Sequence, residues 1–270
     1  MDLAERIAKL AVEATLPGAS MHYRTGQSRG EHDFDLDLGD GRTAALEVTT
    51  AADADYIRTL DAVSNEKRGG QFVRAKKCHQ GWYVRAAKGA RIGRIRSRID
   101  DYLSRIEEAG LTEFGFELRV YDYPAVMQMA ADLGVVAGRV MQWDEPGLIG
   151  IAAPGRGAWF DGSSINAAVE REAKKDDNRN KLRRAGTPEA HLFVYIHSSS
   201  YAACVAMERS MLPNVPAAMP EEITHVWASS YTGTAALRVL CAPRNGPWRD
   251  IGVLSLDAWG EIDGSDGVGD

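Results

Sequence analysis

The spacing of hydrophobic and polar positions changes along the chain, and each change predicts an element. Over residues 2–15 (D-L-A-E-R-I-A-K-L-A-V-E-A-T) apolar residues recur at helical spacing. Leu3, Ile7, Leu10 and Val12 supply most of the stripe, and Pro17-Gly18 stops the helix. From Asp33 the period falls to two: Asp33, Asp35 and Asp37 alternate with Phe34, Leu36 and Leu38, which predicts a strand with one wet face. Gly39-Asp40-Gly41 is turn chemistry, and Ala45, Glu47 and Thr49 then alternate with Ala44, Leu46 and Val48 in a second strand. A loop over 39–41 sets Asp33 opposite Glu47, whereas one over 39–43 sets Asp35 there. In either register the aspartates and Glu47 share a face.

Further helices are predicted over 51–64, 91–110, 124–134, 165–185 and 201–212. Strands are predicted over 114–122, 148–153, 191–196, 223–228 and 236–241. Within 165–185, Lys174, Asn178 and Lys181 fall on one helical face. The alternation of strands and helices predicts an α/β fold, a central mixed β-sheet flanked by helices. The expected organisation is a single domain over 1–270. Its core is about 1–56 and 148–258, with a basic helical elaboration over about 57–145 and a frayed acidic tail over 260–270.

Carboxylates that face each other across a hairpin repel unless something positive lies between them. A hard divalent cation such as Mg²⁺ or Mn²⁺ suits their oxygens, with Asp33, Asp35 and Glu47 as candidate ligands. A solvated strand face in an acidic protein is the other reading of the same residues. Asp33-Phe34-Asp35-Leu36, the glycine turn and Glu47-Val48-Thr49 resemble the hairpin core of the PD-(D/E)xK nucleases, the restriction-endonuclease-like superfamily. The resemblance implies a restriction-endonuclease-like core in which Asp33 and Glu47 hold Mg²⁺. It also implies a lysine two residues after the glutamate that helps activate the attacking water. Here His32 stands where the family has proline and Thr49 where it has that lysine. Under the resemblance, Thr49 orients water and Lys174 or Lys181 supplies the missing positive charge.

Composition adds one feature. Of 270 residues, 44% are hydrophobic and the net charge is −6, yet Lys67 through Ile99 holds eleven Lys or Arg residues and no acid. Phosphate backbones are bound by such concentrations of positive charge, so Lys67, Arg68, Arg74, Lys76, Lys77, Arg91, Arg94 and Arg98 are candidate nucleic-acid contacts. Trp82 and Tyr83 could stack on a base or close a sheet. Between Arg91 and Gly110 most of the arginines occupy the N-terminal half, against the helix dipole, so they are not there for helix stability alone. Three scattered cysteines exclude the usual zinc clusters and predict a reducing, cytoplasmic setting. No apolar run is long enough to cross a bilayer, and there is no signal-peptide pattern. Glycine-rich phosphate loops and H-E-x-x-H or G-x-S-x-G elements are missing, and Ser198–Ser200 has no identifiable base.

The function expected from these features is Mg²⁺-dependent phosphodiester hydrolysis of DNA or RNA. The alternatives are an inactive nucleic-acid- or protein-binding module of the same fold, and an interaction protein whose basic patch meets an acidic partner.

Overall fold

A computed structural model describes residues 1–24, 30–115, 123–143, 145–154, 161–231 and 236–255. The tail over 260–270 and most of the strand expected over 114–122 lie outside the described residues. The chain forms two compact units, Met1–Ala52 with Ala158–Asp270, and Asp53–Gly157.

In the first unit, α1 (Leu3–Thr15) is opened by a capping box between Asp2 and Glu5. It buries Ala4, Ile7, Ala8, Ala11 and Val12, while Leu3 stays exposed. The true stripe runs through alanines that a hydropathy pattern underweights. The strands β1 (Ser20–Tyr23), β2 (Phe34–Asp37) and β3 (Thr43–Ala51) form an antiparallel meander. Next come α5 (Gly162–Ala173), α6 (Asp176–Ala185), β9 (Glu189–Ile196) and α7 (Tyr201–Glu208). The last strands are β10 (His225–Tyr231), β11 (Ala236–Pro243) and β12 (Arg249–Ser255). The seven-stranded sheet has the order β1-β2-β3-β9-β10-β11-β12, with β3, β9 and β10 mutually parallel and the remaining pairs antiparallel.

This sheet buries both faces. One packs Phe34, Leu36, Leu46, Phe193 and Trp227 with Ile7 and Val12 of α1. The other packs Leu192, Val194 and Val226 with Ile165 and Val169 of α5 and Met207 of α7. A fully buried side chain of this size contributes roughly 1.5–3 kcal/mol relative to exposure, so the two-sided cover fixes which β3 residues face which layer.

The single helix expected over 165–185 is two helices. Lys175 leaves helical geometry at ψ 127°, and the Glu172 carbonyl at the corner accepts from both the Lys175 N–H at 3.1 Å and Asn178 Nδ2 at 3.0 Å. Asp161 caps α5, its side chain accepting from the Ser163 N–H.

The second unit holds α2 (Ala54–Ser64), a one-turn helix Glu66–Arg68, β4 (Phe72–Arg74), β5 (Gly81–Ala86) and α3 (Ile92–Glu108). It continues with β6 (Glu113–Phe114), α4 (Pro124–Leu133), β7 (Val135–Met141) and β8 (Leu148–Ala152). These strands make a sheet of their own, β4-β8-β5-β7-β6, packed on a core of Trp82, Val84, Ile95, Ile99, Leu103 and Ile151. The basic segment is therefore not helical alone. Residues 148–152, assigned from sequence to the main core, pair instead with β4 and β5. Trp82 closes the sheet: it is fully buried and donates to Glu107 Oε1 at 2.9 Å.

Candidate active site

The hairpin adopts the three-residue loop. Leu38 N–H donates to the Arg42 carbonyl at 3.0 Å, and the register runs Asp37↔Thr43, Asp35↔Ala45, Phe34↔Leu46. One step further Asp33 lies abreast of Glu47, and Val48 N–H donates to Asp33 Oδ2 at 2.8 Å. Both acids are buried, Asp33 at 7% exposure and Glu47 at 1%. Asp35 shares their parity but lies beyond the helical cover. It accepts from His32 Nε2 at 2.8 Å and Arg24 Nη1 at 3.3 Å. Partial burial raises its pKa, yet these two partners hold its carboxyl below the usual carboxylate range. Asp35 is thus engaged with a local histidine and arginine, and Asp33 is the acid next to Glu47.

Lys181 of α6 reaches this pair from 134 positions along the chain. Its Nζ lies 2.7 Å from Glu47 Oε1 and 3.4 Å from Asp177 Oδ2. The second oxygen, Glu47 Oε2, is buried without a hydrogen-bond partner. Burial, and after it the charge of Asp33, push the Glu47 carboxyl up to about 8, and Lys181 relieves only part of this. Lys181 in turn loses charge stability to burial but is held above the ordinary lysine value by Glu47.

Thr49, two residues after Glu47 and on its face, donates from Oγ1 to Glu172 Oε2 at 3.0 Å. Glu172 is buried in the last turn of α5, where Lys175 and Arg171 also reach it. Sequence reasoning missed Glu172 and Lys175, although a signal existed. Glu172 stands four residues after Ala168 and three after Val169, on the apolar stripe of α5, so it had to be buried with a partner. Lys174 does not join the site. The break between α5 and α6 removes it from the phase of Lys181, and its exposed side chain pairs with Glu170 at 3.6 Å.

A cleft of about 500 Å³ opens beside Lys181, lined also by Arg24, Gly30, Glu31, His32, Arg184 and Ala185. Gly30 has φ +101°, a conformation that glycine adopts without strain, and the Arg184 guanidinium lies against it. Four of the seven lining residues are basic or histidine, which makes the cleft suited to an anion.

The opposite face of the same sheet carries a second cluster. Glu189, His191 and His225, from β9 and β10, place one ligand atom each within 4.8 Å of the others and could hold a metal ion. As the side chains stand, hydrogen bonds account for them. Trp227 Nε1–H donates to His191 Nδ1 at 3.3 Å, leaving the His191 proton on Nε2, 3.3 Å from Glu189 Oε2. Arg42 Nη1 meets the other Glu189 oxygen at 2.5 Å. An ion at Nε2 would drive that proton to Nδ1, against the indole donor. Burial first, then His225, pull His191 down to about 4, so the ring is neutral at ordinary pH. The histidines are 34 positions apart and meet only because parallel β9 and β10 register His191 with His225, which no local motif announces. Ser199, read from sequence as lacking a base, has its Oγ 2.8 Å from His197 Nδ1, which also accepts from the Ser199 N–H at 3.1 Å.

The basic segment divides. Arg74 pairs with Glu145, Lys77 with Asp101 and Lys88 with Asp53, while Arg96 donates to the carbonyls of Ala62, Val63 and Gly70. Lys67 is exposed on the one-turn helix that ends at Arg68, and the Lys76 and Lys77 N–H groups donate to Asp100. Arg91, Arg94 and Arg98 are exposed on α3 or at its cap. Among the described residues, no helix is long and apolar enough to cross a membrane. Comparison with protein-family models, with curated proteins and with solved structures found no match in any of the three.

Proposed function

We propose that this protein is a divalent-cation-dependent phosphodiesterase acting on nucleic acid, with Asp33, Glu47 and Lys181 at its centre. The observation that carries the reading is the buried, unsatisfied Glu47 Oε2 beside Asp33, with the Lys181 ammonium on the other oxygen. A buried carboxylate oxygen without a donor is costly, and a bound cation is one way such an oxygen is completed. The residues fit a hard cation: two carboxylates from adjoining strands and room for water in the neighbouring cleft. Mg²⁺ or Mn²⁺ held by Asp33 and Glu47 would neutralise charge developing on a phosphate and lower the pKa of an attacking water.

The chain's own residues supply the rest. Val48 N–H fixes Asp33. Lys181 brings the positive charge that Thr49 cannot, and orients Glu47. Thr49 is tied to Glu172, so it braces α5 against β3 instead of orienting water. Arg24, His32 and Arg184 line the side from which a phosphate would approach. Plasmid and oligonucleotide substrates in Mg²⁺ or Mn²⁺ test the assignment. Glu47→Gln should abolish cleavage and Lys181→Met should lower it by about 10²-fold or more, the scale of losing one charge that stabilises a transition state. Full cleavage by Glu47→Gln would remove the reading.

The alternative of a non-catalytic module of this fold has one observation in its favour. Lys181 already occupies one Glu47 oxygen, as it would in a site closed by an internal ion pair.

A further inference from the structure

Once ion pairs are removed, the basic run in the second unit keeps the exposed lysines Lys67 and Lys76 and one ordered row. Among the described residues, no carboxylate lies within ion-pair distance of the Arg91, Arg94, Arg98 or Arg105 guanidinium, whereas Arg74, Lys77 and Lys88 are each matched to an acid. All four unmatched arginines are exposed. At about 100° per residue they fall within an arc of about 60° on α3 and its cap, and at 1.5 Å per residue they span about 21 Å. Arg94, Arg98 and Arg105 line a groove of about 450 Å³ between α3 and α4, walled by Tyr102, Met129 and Leu133. Asp101 and Asp132 lie in it too, but Asp101 is taken by Lys77 and Asp132 by the Gln128 amide.

At its N-terminal end this arrangement does nothing for the fold. Arg91 and Arg94 stand at the positive end of the α3 dipole, whose first turn has no acid. Arg96, which does serve the fold, points away and holds three carbonyls. A linear row of exposed, unpaired guanidiniums, two of them at the end of the dipole that disfavours them, matches a linear row of anions. We infer that the Arg91–Arg94–Arg98–Arg105 stripe is a track for the phosphodiester backbone of a nucleic acid, read without regard to base sequence. Guanidinium contacts to phosphate position a strand and carry no sequence information. Arg105, outside the basic run, belongs to the track, and Arg74 and Lys77 do not. The inference shares with the proposed function the choice of nucleic acid as substrate, but it does not depend on hydrolysis.

Binding is therefore measured in EDTA, where cleavage plays no part. The intact protein is titrated against fluorescent duplex and single-stranded oligonucleotides of scrambled sequence across a salt series. Arg94→Gln/Arg98→Gln/Arg105→Gln should weaken binding at least tenfold near 100 mM salt and reduce the slope of log affinity against log salt by about 2–3. Arg74→Gln/Lys77→Gln/Lys88→Gln removes the same formal charge and should change affinity less than about threefold, because exposed cations already paired contribute little new charge. All substituted side chains are exposed, and circular dichroism checks that both variants fold. An equal loss in the two variants, or competition by polyglutamate as effective as by unlabelled oligonucleotide at matched charge, would overturn the track. Loss of cleavage in Glu47→Gln with binding intact would leave it standing.

Discussion

Glu47 is an acid that the fold keeps short of solvent and short of donors, and its behaviour with pH follows. Its folded carboxyl is pushed up to about 8, well above its ordinary value of 4.5. The folded state then binds more protons than the unfolded chain between those limits, so stability is greatest below about 4.5 and falls as pH rises through about 8. In EDTA, denaturant midpoints measured from pH 5 to 9 should decline, and Glu47→Gln should flatten that decline and be the more stable protein at pH 8.5. Lys181 and Lys174 separate cleanly at this scale too. Lys181→Met should cripple cleavage, while Lys174→Met, which alters an exposed side chain paired with Glu170, should leave it within about twofold, as surface substitutions usually do. The candidate acids were legible in the sequence because alternation and a glycine turn place Asp33 near Glu47. What was not legible was the choice between Asp33 and Asp35, which the Leu38–Arg42 contact and the His32–Asp35 bond decide.

At the scale of elements, the important feature is the break between α5 and α6. A continuous helix over 165–185 would put Lys174, Asn178 and Lys181 on one face. The break lets Glu172 reach Thr49 while Lys181 reaches Glu47. Asn178, donating to the Glu172 carbonyl, holds the corner. Asn178→Ala should cost about 0.5–1.5 kcal/mol, the net worth of one hydrogen bond to a carbonyl that keeps the Lys175 N–H, and should depress cleavage through loss of Lys181 placement. Chemical denaturation and single-turnover cleavage read the two effects separately. The corner escaped sequence reading because neither proline nor glycine marks it: residues 173–178 are A-K-K-D-D-N, all compatible with helix. On α3 the dipole argument gives an opposite sign. Arg91→Gln should raise stability slightly, by about 0.3–1 kcal/mol, because it removes a positive charge from a positive helix end.

For the whole molecule, the α/β class followed from alternating periods, and the mixed sheet follows from β3, β9 and β10 running parallel inside antiparallel edges. The second sheet was hidden because β4, β5 and β7 are short, each carries an arginine, and lysines and arginines crowd the segments around them, so charge drew more notice than period. Its core is nonetheless complete. Leu103→Ala should cost about 2–5 kcal/mol, as for a fully buried leucine, which urea unfolding would register. The pairing of His191 with His225 and of Glu47 with Lys181 are consequences of topology, and no window along the sequence contains them.

The most direct measurement is calorimetric titration of the intact protein with Mn²⁺ at pH 7 in two buffers of different ionisation enthalpy. One ion should bind with release of a proton, because a carboxyl pushed up to about 8 must give up its proton to coordinate. Glu47→Gln should abolish that event and Lys174→Met should not. Absence of Mn²⁺ binding, or binding that Glu47→Gln leaves unchanged, would contradict the account.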